Sequence, residues 1–93
     1  MGKDMEEFLV REFRLASEKE IEKDKELRAE KDNVIGLIIL QDLKYWRGYK
    51  MGIYNCMMED GCVAKALDIM KELEEGYYKG ALGVREEDFV RHD

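Results

Sequence analysis

Asp42 and the run Lys44–Lys50, which reads KYWRGYK, are where this sequence could do chemistry. Three bases and three aromatics in seven residues are the ingredients of a platform that stacks on bases and neutralises phosphate. A helix would divide them. Tyr45, Trp46 and Tyr49 would project near an apolar stripe, while Lys44 and Arg47 would point away from it. Lys50 alone would stand beside Trp46, close enough for a cation–π contact. Trp46 or Tyr49 would then offer a stacking face to an anionic nucleotide, with Arg47 and Lys50 supplying charge. The plainer expectation is a core of aromatics with solvated bases around it.

Asp42 falls inside the same stripe, at helical spacing from Ile38, Ile39, Trp46 and Tyr49. A carboxylate there needs partners, or its pKa rises. It could accept a hydrogen bond from Trp or Tyr, sit at a wet subunit edge, or anchor a ligand. The candidate ligand-binding set is therefore Asp42, Trp46, Arg47, Tyr49 and Lys50.

Other chemistry is poorly provided for. His92 is the single histidine and lies near the end of the sequence, so no Ser-His-Asp or Cys-His arrangement is expected. Cys56 and Cys62 with one histidine fall short of the four ligands of a structural zinc site. Asp68 and Glu72 share a helix face with no further metal-binding pattern, and no phosphate-cradling glycine loop is present. The expectation is no catalytic residue, no metal and no cofactor.

The elements that carry these residues are helical. Proline is absent and threonine is absent, which removes the strongest helix breaker and a common strand former. With 45% apolar and 41% charged residues, the 93-residue chain reads as one folded domain, residues 1–93. A net charge of −6 argues against nucleic-acid binding. Two cysteines suit a reducing compartment, and the charged N-terminus lacks a signal peptide. The apolar run Val34–Leu40 is far too short to span a membrane. A cytoplasmic protein is expected.

Asp4 and Glu7 form a capping box before an amphipathic helix over 4–16. Ser17 and Glu20 repeat the signal before a charged helix or connector over 17–32, expected to be solvated. Asp32 and Asn33 are good caps for a central helix over 33–58. Unbroken helix from Glu18 to Met58 would reach about 60 Å, roughly twice the width of a globule this size, so a break or a covering chain is required. One face of the central helix carries Ile35, Ile38, Ile39, Trp46, Tyr49, Ile53, Cys56 and Met57. Leu37, Leu40, Met51 and Met58 lie opposite, and Gly48, Gly52 and Cys56 form a ridge of small residues.

Gly61 marks a turn into an amphipathic helix over 61–79. Its inward face would be Val63, Ala66, Leu67, Met70, Leu73 and Tyr77. The tail, 80–93, would fray or form a short helix around Glu86–Arg91, with Phe89 and Val90 docking.

The expected architecture is all-α: a bundle of three or four helices around an antiparallel helical hairpin, completed by oligomerisation. The oligomer interface would use Leu37, Leu40, Gly48, Met51, Gly52 and Met58. The expected role is a non-catalytic acidic interaction protein, a regulator, adaptor or inhibitor. Its partners would be its own copies and a protein of unknown identity. The alternative is a binder that sequesters an anionic nucleotide between subunits.

Overall fold

Asp32 breaks the helix. Its backbone is extended, and its carboxylate accepts from the Val34 amide at 2.8 Å and the Ile35 amide at 3.0 Å. These are two of the four donors that a helix start leaves without partners. The chain can therefore stop, turn within three residues and begin again.

The computed structural model describes residues 3–77, which are helical apart from the turns at 30–32 and 61–62 and contain no strand. Three helices lie among the described residues. α1 spans Lys3–Ala29 and α2 spans Asn33–Asp60. α3 begins as an α-helix over Val63–Ile69 and continues as a π-helix over Met70–Glu75. The fourth helix expected in the tail lies outside the described residues, as do Phe89, Val90 and His92.

Contacts between residues set the directions of the helices. Glu12 meets Tyr49, Glu20 meets Arg47, and Lys23 meets Asp42, so α2 runs antiparallel to α1. Glu6 meets Lys65, Arg14 meets Glu72, and Ser17 meets Glu74, so α3 runs parallel to α1. Gly61 turns the chain from α2 into α3 with φ +82°. The Cys62 amide donates to the Met57 carbonyl at 3.0 Å, and the Gly61 amide to that of Met58 at 3.3 Å. This pair of bonds closes the helix end and needs the left-handed backbone that glycine adopts freely.

Two expectations about the first thirty residues are corrected. Helix runs through Ser17 without a break, and Asp4 lies inside the first turn of α1. Nor is 17–29 solvated all round: Glu18, Glu22, Lys25 and Glu26 are exposed as expected, but Ser17, Glu20 and Asp24 are buried. They extend the stripe begun by Leu9, Phe13 and Ala16 at spacings of three and four, so α1 presents one continuous face that turns from apolar to polar.

The apolar core lies near Gly61. It consists of Leu9 and Phe13 from α1, Ile53 and Met57 from α2, and Cys62, Ala66 and Ile69 from the start of α3. At the other end, α1 offers only Ile21 and Leu27 as large apolar partners. This shortage leaves the first turns of α2 bare.

Candidate interaction surface

The inward face of α2 is Ile39, Leu43, Trp46, Lys50, Ile53 and Met57, spaced alternately four and three apart. It is rotated from the face expected on apolar content. Leu43 and Lys50 are buried, while Ile35, Ile38 and Cys56 are exposed. The cause lies across the gap: α1 presents Glu20 at this level, and an ammonium satisfies Glu20 where isoleucine would not.

Lys50 is the centre of a saturated charge cluster. Its Nζ donates to one oxygen of Glu20 and, at 2.6 Å, to one oxygen of Glu74. The second oxygen of Glu20 accepts from Arg47 Nε at 2.6 Å, and the second oxygen of Glu74 accepts from the Ser17 hydroxyl at 3.3 Å. All four carboxylate oxygens thus have donors. Burial works against the Lys50 ammonium, but its hydrogen bonds to Glu20 and Glu74 outweigh this and raise its pKa above the ordinary lysine value.

One turn further along, Asp24 accepts from Arg28 Nε at 2.7 Å and from the Tyr77 hydroxyl at 2.8 Å. Burial would raise the Asp24 carboxyl, yet these hydrogen bonds hold it below the usual carboxylate range. Tyr77 titrates above its ordinary value, through burial first and then its bond to Asp24.

The π-helix delivers Glu74 to this cluster. A π-turn closes on the fifth residue along, so Glu74 follows Ile69 inward, while Leu73 packs half-buried against the core. The buried sequence on α3 is Cys62, Ala66, Ile69, Glu74. Of the inward face expected for this helix, Ala66 is buried and Val63, Met70 and Leu73 pack against the core, but Leu67 is exposed, and Ile69 and Glu74 are buried in addition.

The candidate ligand residues do not converge. Asp42 is exposed, 3.9 Å from Lys23, and is not inside an apolar stripe. Trp46 is half-buried between Tyr45 and Tyr49, edge-on to both at 5.1 and 6.0 Å between ring centres. The Tyr49 hydroxyl donates to Glu12 at 2.6 Å. Arg47 binds Glu20, and Lys50 is enclosed by Glu20 and Glu74 rather than lying over Trp46. The cluster compensates its own charge and leaves no idle acid or base.

The outward face of α2 has the opposite character. Val34 is 68% exposed, Leu37 61%, Ile38 57% and Tyr45 63%, with Met51 and Met58 each at 56%. Leu40 is half-buried. Gly48 and Gly52 are open, and a Cβ built on either meets nothing within 4 Å. Four charged residues occur between Val34 and Met58, and three of them, Asp42, Arg47 and Lys50, are engaged with α1. α2 thus buries Lys50 within an otherwise apolar inner face and leaves a second apolar surface outward.

An open apolar groove of about 490 Å³ lies near the Gly61 end, lined by Met5, Phe8, Leu9, Ile53 and Cys56, with Glu59 and Asp60 at its rim. Cys56 and Cys62 are free thiols, and burial raises the Cys62 pKa. Among the described residues, no three acidic, cysteine or histidine side chains gather as a metal site, and no helix is long and apolar enough to cross a membrane.

The chain matches no protein-family model, no curated protein and no solved structure.

Glu20, Asp24 and Glu74 escaped the sequence reading. The signal for the first two was present: Leu9, Phe13, Ala16, Glu20 and Asp24 keep one helical stripe. Glu74 had no such signal, because a π-turn shifts the register.

Proposed function

We propose that this chain is a non-catalytic interaction protein, working as a homo-oligomer through the outward face of α2. One observation carries the reading: a helix in a strongly charged chain spends its charges on α1 and leaves valine, leucine, isoleucine, tyrosine and methionine in water. Large contiguous apolar surface on a small protein marks a place where another surface sits. The saturated cluster around Lys50 supports the non-catalytic part, since a general acid or base must have a proton to exchange with substrate. Free Cys56 and Cys62 suit a reducing compartment such as the cytoplasm.

Light scattering across a concentration series tests this. The wild-type chain is expected to show a mass above the 11.0 kDa of one chain. Replacing both Leu37 and Ile38 by Glu is expected to give the single-chain mass with the circular-dichroism helix signal unchanged. A wild-type chain that stays single at every concentration would overturn the oligomer.

A further inference from the structure

We propose that α2 pairs with α2 of a second copy, antiparallel about a two-fold axis near the middle of the helix. The inference rests on the reading of that face as the working surface, and it names the occupant and its orientation.

Spacing supplies the first argument. Val34, Ile38, Gln41, Tyr45, Gly48 and Gly52 are spaced four, three, four, three and four apart. That is the seven-residue pattern by which one helix packs along another. The buried face of α2 keeps the same rhythm against α1, so α2 carries two packing seams and one chain fills only the first.

The two halves of the outer seam differ in size. The N-terminal half is bulky, with Val34, Leu37 and Ile38 exposed. The C-terminal half carries Gly48 and Gly52 with open space above them. Antiparallel pairing sets the bulky half of each copy on the glycine half of the other, twice by symmetry. Parallel pairing would set bulk on bulk and leave a gap between facing glycines.

Charge points to the same place. The chain carries −6, so most approaches between copies are repulsive. These six seam positions carry no charged residue, so two copies can meet there without opposing charges. A paired helix about 36 Å long gives a contact near the lower end of specific interfaces, roughly 1,200 Å² in total. A dimer that dissociates on dilution is the expectation.

Cys56 is exposed and lies near one end of α2, which makes it a built-in ruler. In a Cys62→Ala background, a nitroxide on Cys56 is to be read by pulsed dipolar spectroscopy. With Val34 over Gly52 and Ile38 over Gly48, antiparallel pairing predicts a separation of about 40 Å between labels, and parallel pairing about 10 Å. In parallel, replacing Gly48 and Gly52 by Leu tests the close approach without a label. These side chains enter open space in one chain, so its helix signal should persist, while dimer dissociation rises at least tenfold. A dimer with closely spaced labels, or one indifferent to both leucines, overturns the antiparallel contact and leaves the oligomer standing. A wild-type chain that never dimerises overturns both, and assigns the face to a different protein.

Discussion

The ammonium of Lys50 lies 2.6 Å from the carboxylate of Glu74, joining the middle of α2 to the π-helical turn of α3. The same ammonium reaches Glu20 on α1, so one lysine ties all three helices together. Removing one partner from such a contact leaves buried charge behind, which costs more than the contact contributes. Lys50→Ala should therefore destabilise the fold by about 3–5 kcal/mol. Replacing Glu20, Lys50 and Glu74 together by Leu, Met and Leu should lose far less. Denaturant unfolding of both variants checks this, and equal losses would contradict the account.

The pKa directions fix how stability responds to base. Lys50 and Tyr77 both titrate above their ordinary values in the folded chain. A group whose pKa folding raises gives its full stabilisation below the unfolded value and loses it as pH climbs through the folded one. Melting temperature should fall above about pH 10. Lys50→Met and Tyr77→Phe together should flatten that limb.

Acid acts through Asp24, whose carboxyl folding lowers. Its contribution is present above the unfolded carboxylate pKa and disappears as pH drops through the folded value, below about pH 4. Asp24→Asn should lose stability at neutral pH and narrow the gap to wild type at pH 3, as measured by thermal melts at the two pH values.

The two ends of α2 allow a backbone test. Asp32→Ala removes the acceptor for two amides and should cost about 1 kcal/mol. Gly61→Ala forces a side chain into the left-handed region and should cost about 1–2 kcal/mol. The two sites lie at opposite ends of a 28-residue helix, so the losses should add in the double variant. Urea midpoints measure all three.

Anionic ligands are the last test. Arg47 and Lys50 already bind Glu20, so capturing a nucleotide would require breaking those pairs. Titration with mono-, di- and cyclic nucleotides should leave Trp46 fluorescence unchanged. Saturable quenching would revive the nucleotide alternative.

Much of this was legible without coordinates, and for local reasons. Helix content follows from the absence of proline and the supply of helix formers. The boundary at Gly61 follows from one residue free to adopt positive φ; Asp32 offered a capping side chain, but whether the helix passed through it stayed open until the structure showed the break. The surplus of apolar residues between Val34 and Met58 is a matter of composition. Tertiary structure alone decided which way they point. Periodicity gives α2 two candidate faces and does not choose between them; the choice came from Glu20 on α1, which requires Lys50 opposite and so turns Ile38 and Leu37 outward. It also decided that Glu74 is buried, because a π-turn is a long-range compromise that no local pattern announces. Asp42 fell on the wrong side of the inference for the same reason: a carboxylate among apolar neighbours in sequence becomes a surface residue once the whole helix rotates to bury a lysine.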